Sequence, residues 1–160
     1  MKILVIGAGI IGSIVASQLK RNGQDVTILA RGQHARDLES FGIVTHPLHG
    51  EEYRTTHLAV VEELSAQDEY DVILVIVRRN SHQDILPLLA NHQHYQKVIF
   101  LGNNLGGGAD LKEQLPAEKI ALGFGGTTGE KRGDIIYHHV DQETGYYGKI
   151  WLGELEGEPS

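Results

Sequence analysis

Three glycines near the start of the chain have the spacing of a phosphate-binding turn. Gly7, Gly9 and Gly12 form a GxGxxG pattern directly after the apolar run KILVI at 2–6. In a turn from a buried strand into a helix, the first glycine permits the tight turn, the second lets backbone approach a pyrophosphate, and the third allows close packing of helix on strand. The helix N-terminus adds free N–H groups and a partial positive charge. The pattern predicts a dinucleotide site, with a glycine turn that binds no ligand as the alternative. The residues expected to form the site are consecutive: Gly7, Ala8, Gly9, Ile10, Ile11 and Gly12.

The second strand of this unit ends in a basic residue, Arg31. At this position NAD sites usually carry an acidic residue that accepts hydrogen bonds from the ribose, whereas NADP sites use a nearby Arg for the 2′-phosphate. A guanidinium forms paired charge-assisted hydrogen bonds to a phosphate, and no carboxylate stands beside Arg31 in the sequence to oppose them. We therefore expect NADP(H) to be favoured over NAD(H), and the missing acidic residue argues against a flavin. A solvated surface arginine is the alternative.

An alternation of strands and helices must position these residues. The run at 2–6 is apolar throughout, as in a parallel strand buried on both faces, and the helix 11–21 after it ends at Asn22-Gly23. A strand at 25–30 completes a βαβ unit. Further strands are predicted at 71–77, 97–102 and 119–124, and further helices at 33–41, 109–115 and 82–92, the last with Pro87 in its first turns or at a kink. The predicted fold class is α/β, a Rossmann-type doubly wound parallel sheet, in a single dinucleotide-binding domain over 1–160.

Short strands are expected in two other places. Residues 43–61 are typical of two or three short strands around a turn at His49-Gly50. Near the end, 133–140 and 148–155 are predicted to pair with each other as antiparallel strands, joined by a turn at 142–145. They would give the sheet an antiparallel C-terminal extension.

Composition and charge exclude several classes of partner. The chain has 14 Lys and Arg against 21 Asp and Glu, a formal charge of −7, which disfavours nucleic acid because a phosphate backbone attracts excess positive charge. No run approaches the ~20 apolar residues of a membrane span, so we expect no membrane partner. The lack of cysteine excludes disulfides and thiolate metal sites and fits a reducing compartment, so we expect a cytoplasmic protein.

Nine histidines raise the question of a metal site. Six of them form close pairs: His46 and His49, His92 and His94, and His138 and His139. Neighbours on a strand face opposite sides, so the last pair cannot chelate one ion together. Because no cysteine or grouped carboxylate completes a ligand set of the kind that zinc uses, we expect no metal. Asp141 and Glu143 are placed in a turn, and Trp151 is assigned to core or domain-contact packing.

Five blocks follow one another along nearly the whole chain: MKILVIGAGIIG, VTILAR, DVILVIV with the basic residues after it, LGNNLGGGADL and GGTTGEKRGDIIYHH. Together they resemble the N-terminal domain of the ketopantoate reductase (2-dehydropantoate 2-reductase) family. The resemblance implies reduction of a 2-keto acid with NADPH, as in pantothenate biosynthesis, with this domain holding the cofactor. In the family a following helical domain supplies much of the substrate site and a proton-donating lysine. We expect that second domain to be absent from the 160 residues.

The resemblance also implies roles for particular residues. The phosphate loop corresponds to Gly7 through Gly12, and the 2′-phosphate contact to Arg31. The family's Asn-Gly-x-Gly turn beside the nicotinamide falls on Asn103, Asn104 and Gly106, with Asn104 in place of a glycine. Asn tolerates a left-handed backbone better than most residues, so this departure is small. Asn103 is the candidate for orienting a substrate carbonyl or carboxylate.

Where the family has a lysine and, three residues later, a glutamine facing the cofactor, this chain has Arg78 and Ser81. Arg78 keeps the charge toward the cofactor but cannot transfer a proton at neutral pH. We therefore expect the NADP(H)-binding domain of a 2-keto acid oxidoreductase, inactive without its helical domain, with a possible homodimer through the face that domain would cover. The alternative is a free-standing nucleotide-sensing regulatory module, which the one-domain length favours and Arg31 opposes.

Overall fold

The computed structural model describes residues 1–48, 50, 52–92, 94–103, 108–139 and 150–155. The strands are β1 (Lys2–Ile6), β2 (Asp25–Leu29), β3 (Ile43–Pro47), β4 (Arg54–Thr56), β5 (Ala59–Val61), β6 (Tyr70–Val75), β7 (Tyr95–Leu101), β8 (Ile120–Gly125), β9 (Thr128–Arg132), β10 (Ile135–His139) and β11 (Ile150–Glu154). The helices are α1 (Ile10–Arg21), α2 (Gly32–Phe41), α3 (His82–Asn91) and α4 (Ala109–Lys112), with 3-10 turns at Arg79–Ser81 and Ala117–Lys119. None of the described helices is long and apolar enough to cross a membrane.

A seven-stranded sheet forms the centre of the described structure, in the order β11-β8-β7-β6-β1-β2-β5. All neighbouring strands in it are parallel except β11, which is antiparallel to β8. From β1 the chain proceeds through β2 to β5 on one side, and from β6 through β7 to β8 on the other. The predicted doubly wound parallel sheet with an antiparallel C-terminal strand is confirmed. Its topological switch point lies between β1 and β6, where ligands of such sheets bind.

Helices cover both faces of this sheet. Residues of α1 and α2 pack on one face, and residues of α3 and α4 pack on the other. Successive strand residues point to opposite faces of the sheet. In β1, Ile3 and Val5 therefore pack on the face covered by α1 and α2, and Leu4 and Ile6 pack on the face covered by α3 and α4. A strand covered on both sides needs apolar residues at nearly every position, which explains the uninterrupted run in β1.

A second sheet, in the order β4-β3-β10-β9, packs against α1. Strand β10 pairs antiparallel with β9 and parallel with β3. Inside β10 the side chains alternate, so that Ile136 and His138 are buried and Tyr137 between them is half-buried. Gly133, with φ of 60°, allows the tight turn between β9 and β10.

The pairing predicted between the last two strands is wrong. Strand β10 belongs to the small sheet, whereas β11 lies at the edge of the central sheet beside β8. The strand that does pair antiparallel with β10 is β9, whose sequence TGEKR is mostly exposed and has no apolar alternation to indicate a strand. The turn predicted at 142–145, with Asp141 and Glu143, lies outside the described residues.

Other predicted boundaries shift by a few residues. The 43–61 region does contain three strands, but β5 joins the central sheet next to β2 and not the small sheet. The turn residue His49 is outside the described residues. Pro87 is the sixth residue of α3, in its second turn, and α4 ends at Lys112 and not at 115. Trp151 is not in the core, because its side chain is 49% exposed on the edge strand β11.

Candidate dinucleotide site

The phosphate loop joins β1 to α1, and two of its glycines are required by the protein's own packing. Gly7 has φ of 116°, and a Cβ there would overlap the carbonyl group of Ile76. A Cβ on Gly12 would overlap the carbonyl oxygen of Gly7, so this glycine lets α1 lie directly against the loop. A Cβ on Gly9, in contrast, would meet no described atom within 4 Å. Gly9 therefore leaves open space in front of the loop.

The N-terminus of α1 faces that space without a side-chain cap. Gly9 is the N-cap residue, in an extended conformation, and its carbonyl accepts a hydrogen bond from the Ser13 amide at 2.9 Å. The first turn of α1 contains no acidic residue. Since the first N–H groups of a helix have no partner within the helix, they remain available to an anion in front of the loop.

A cleft of about 950 Å³ opens at the switch point. It brings together Gly9 to Gly12 of the phosphate loop with Arg78 after β6 and Asn103 after β7. These groups meet because β1, β6 and β7 are parallel neighbours, so their carboxyl ends lie at one edge of the sheet. Much of the remaining wall is apolar and consists of residues from α1, β8 and β11: Ile14, Val15, Leu19, Phe124 and Ile150.

Two side chains fix the phosphate loop from the other side. His34, in the first turn of α2, donates its Nε2–H to the carbonyl oxygen of Ala8 at 2.8 Å. Ser13 donates its hydroxyl to the same carbonyl at 3.4 Å. The contact from His34 ties α2 to the loop, and sequence reasoning missed it because no pattern links a residue of the second helix to the first turn.

Arg31 is not among the residues that line the 950 Å³ cleft. It is the exposed N-cap residue of α2, directly after β2 and Ala30. No carboxylate adjoins Arg31 along the chain, but one from another strand end contacts the next residue. Glu62 follows β5, and its Oε2 accepts a hydrogen bond of 2.8 Å from the Gly32 amide, the residue after Arg31. The local sequence does not indicate this carboxylate, because it is 31 positions from Arg31 and comes near the start of α2 through the pairing of β5 with β2.

The residues after β6 form a short basic segment. Arg78 is exposed and begins the 3-10 turn Arg79–Ser81, where the Ser81 amide donates to the Arg78 carbonyl at 2.8 Å. Arg79 forms an ion pair of 3.0 Å with Asp110 of α4. His82 comes next and is buried against Phe100, with ring centroids 5.1 Å apart. Burial, with a contribution from Arg79, lowers the pKa of His82 below its ordinary value.

Of the predicted nicotinamide-side residues, Asn103 is exposed at the end of β7. Asn104 and Gly106 lie outside the described residues. The backbone before Asn103 is held by a hydrogen bond from the Gly102 amide to the carbonyl of Gly123 on β8, at 3.0 Å.

The histidine pairs pack with aromatic rings. His92 lies 6.3 Å from the ring of Tyr70 and 5.9 Å from that of His94, and His46 lies 4.5 Å from Tyr53. His138 is buried, whereas His139 next to it is half-exposed. In the described part of the chain no three His, Asp or Glu side chains lie close enough together to hold a metal ion.

A GxGxxG turn from a parallel strand into a helix, at the switch point of a doubly wound sheet, defines the class of Rossmann-type dinucleotide-binding domains. Within this class, the family model for ketopantoate reductase PanE/ApbA matches residues 3–157. The chain belongs to this family.

Similar sequences include two bacterial proteins. An uncharacterized oxidoreductase, YkpB, of Bacillus subtilis is 27% identical over 168 residues, covering 96% of this chain and 50% of the relative. A 2-dehydropantoate 2-reductase of Lactococcus lactis is 28% identical over 130 residues, covering 77% of this chain and 40% of the relative. The chain thus spans half or less of the length of these relatives.

Solved structures give the same fold. A 2-dehydropantoate 2-reductase of Geobacter metallireducens superposes with a TM-score of 0.82 at 21% identity, covering all of this chain and 51% of the other. The ternary structure of a D-mandelate dehydrogenase with NADH and anilino(oxo)acetate gives a TM-score of 0.80 at 21% identity, covering 98% and 49%.

Proposed function

We propose that this chain is the cofactor-binding half of an NADP(H)-dependent 2-keto acid oxidoreductase related to the ketopantoate reductases. The observation that carries this proposal is the open space in front of Gly9, faced by uncapped N–H groups of α1 and continuous with a cleft that reaches Asn103. A pyrophosphate fits the first feature, because it needs close backbone approach and N–H donors. The flat nicotinamide ring fits the second feature, the cleft that reaches Asn103.

The dinucleotide would then cross the carboxyl edge of the sheet. The pyrophosphate would bind at Gly9 to Gly12, the adenosine ribose with its 2′-phosphate beside Arg31, and the nicotinamide in the cleft near Asn103. When bound, the cofactor supplies a hydride for a keto carbon. Asn103 would orient the substrate, since its amide can donate to a carbonyl or carboxylate. Arg78 would add positive charge on the cofactor side of the cleft.

Alone, these residues provide one wall of a reaction site. A guanidinium such as that of Arg78 is not a proton-transfer group, so a proton for the developing alkoxide would have to come from another residue. The apolar wall along α1 and the exposed side chains of Phe124 and Leu152, each 57% exposed, are surfaces that a further domain or a second copy would cover. We therefore propose that the 160 residues bind cofactor without reducing keto acid at an appreciable rate.

Cofactor binding is tested by titrating the chain with NADPH and with NADH in a calorimeter. We expect NADPH to bind more tightly, and Arg31→Ala to remove most of the difference, about 1.5 to 3 kcal/mol for a hydrogen bond to a charged group. Arg36→Ala is the matched control, because Arg36 is an exposed arginine of the same helix whose guanidinium bonds to Gln33. Equal affinities in the unaltered chain would refute the assignment of Arg31, and no binding of either dinucleotide would refute the function.

A further inference from the structure

One carboxylate lies where the ribose end of the proposed dinucleotide site begins. Glu62 is exposed, and its Oε2 accepts a hydrogen bond from the Gly32 amide at 2.8 Å. Gly32 is the first residue of α2, and the first turn of α2 has no acidic residue of its own. The carboxylate at the start of α2 therefore comes from another part of the chain, and it contacts the backbone directly after Arg31.

Strand pairing holds Glu62 in this place. Strand β5 runs parallel to β2 with Val61 opposite Leu29, and the Ala30 amide donates to the Val61 carbonyl at 3.0 Å. Glu62 thus leaves its strand at the level where the chain of β2 continues into Arg31. The carboxylate and the guanidinium belong to neighbouring strand ends at the carboxyl edge of one sheet.

We infer that Glu62 is a specificity-determining residue of the cofactor site, which binds the ribose hydroxyls of NAD(H) and opposes the 2′-phosphate that Arg31 attracts. The inference rests on the proposed function, because it requires that a dinucleotide ribose lie beside Arg31. The proposed site would then combine the basic residue typical of NADP sites, after β2, with a carboxylate that follows the neighbouring strand β5 and takes the place of the acidic residue of NAD sites.

Arg31 and Glu62 change the affinities for NADP(H) and NAD(H) in opposite directions. Ribose hydroxyls donate hydrogen bonds to a carboxylate, and such charge-assisted bonds are stronger than those between neutral groups. A phosphate has no donor to offer and carries the same charge as Glu62, so it must displace the carboxylate from the Gly32 amide or bind beside it against repulsion. Selectivity for NADP(H) is consequently limited by Glu62, and NAD(H) remains an acceptable ligand.

The test is Glu62→Gln in the full chain, with NADPH and NADH titrated separately. Gln keeps an oxygen that can accept from the Gly32 amide, so the start of α2 is preserved while the charge is removed. We expect the ratio of NADPH to NADH affinity to rise at least about tenfold, through tighter NADPH binding and weaker NADH binding. Glu63→Gln is the matched control, since Glu63 is the adjacent exposed glutamate, and it should leave the ratio unchanged.

The outcomes separate this inference from the proposed function. If both dinucleotides bind the unaltered chain and Glu62→Gln leaves their ratio unchanged, the inference is overturned and the cofactor site stands. If neither dinucleotide binds the unaltered chain, the proposed function fails and the inference with it. Competition experiments show whether the effect of Glu62→Gln arises at the 2′-phosphate. Glu62→Gln should improve the ability of adenosine 2′,5′-bisphosphate, but not of AMP, to compete with the bound dinucleotide. Equal changes for both compounds would also overturn the inference.

Discussion

Replacement of Gly9 by valine tests the phosphate loop most directly, because the protein itself leaves room for the new side chain. A Cβ on Gly9 would meet no described atom within 4 Å, and the residue has φ of −76° and ψ of −173°, an extended conformation that valine adopts readily. Loss of the N-cap glycine slightly destabilises the folded protein, whereas valine slightly stabilises it by reducing the conformational freedom of the unfolded chain. Each effect on the free energy of unfolding is below about 1 kcal/mol. Gly9→Val should therefore fold.

Dinucleotide binding should nevertheless be lost. The isopropyl group would fill the space where the pyrophosphate approaches the loop, so the backbone N–H groups of α1 could no longer reach the phosphates. Each hydrogen bond to a charged group contributes about 1.5 to 3 kcal/mol, and losing two of them weakens binding by at least about 100-fold. The change is therefore large in affinity and small in stability.

Gly12→Ala is the control that should lower both the affinity for the dinucleotide and the stability of the fold. Its Cβ would overlap the carbonyl oxygen of Gly7, so α1 must shift away from the loop. Overpacking of this kind costs about 1 to 3 kcal/mol, which corresponds to a Tm lowered by roughly 2 to 12 °C. Calorimetric titration with NADPH and thermal unfolding by circular dichroism measure the two effects. Retained NADPH affinity in a folded Gly9→Val protein would refute the reasoning, because the ligand would then lie elsewhere.

Three further predictions concern pH, turnover and association. Burial lowers the pKa of His82, His92 and His138, helped by Arg79, His94 and Arg21 respectively, so these side chains bind protons less readily in the folded protein than in the unfolded chain, where histidine takes up a proton near pH 6.5. The free energy of unfolding should be highest above about pH 6.5 and fall below that pH, by at most about 1.4 kcal/mol per pH unit for each histidine. A urea unfolding curve that is unchanged between about pH 7.5 and 5.5 would contradict this. The chain assayed alone should not oxidise NADPH with ketopantoate at the roughly 1 to 1000 per second of intact enzymes. It should associate at high concentration through the apolar surface around Phe124 and Leu152, and Leu152→Glu should weaken that association; a strictly monomeric species in sedimentation would argue against it.

The central sheet could be predicted because its physical signal is local. Strands such as β1 and β6 are buried on both faces and therefore consist of apolar runs, and each helix between them ends at a recognisable glycine or asparagine. The same reasoning failed for β9, whose exposed polar residues carry no such signal. Its place follows from the tight turn at Gly133 and from pairing with β10, and both are properties of the assembled sheet.

The phosphate loop was predictable for a related reason. The requirement for glycine is local at Gly12, whose Cβ would overlap the carbonyl oxygen of Gly7, and at Gly7 it includes a backbone φ of 116°, so a spacing of glycines indicates the turn even though the clash of a Gly7 Cβ is with the distant Ile76. The contact from His34 to Ala8 joins positions 26 apart, and no spacing rule records it. This contact depends on how α2 packs against the phosphate loop, and the packing of α2 cannot be predicted from a local sequence pattern.

Cofactor preference shows where a local rule is incomplete. The rule takes the residue at the end of the second strand as the determinant, and Arg31 alone would then assign NADP(H). In the folded chain β5 lies next to β2 and Glu62 accepts a hydrogen bond from the Gly32 amide, so the proposed ribose end would be formed by two strand ends. If both side chains meet the ribose as proposed, the guanidinium of Arg31 and the carboxylate of Glu62 change the NADPH to NADH affinity ratio in opposite directions. It follows that Arg31→Ala and Glu62→Gln should shift the NADPH to NADH affinity ratio in opposite directions. Because both side chains would meet the same ribose, the double variant should depart from the sum of the two single effects.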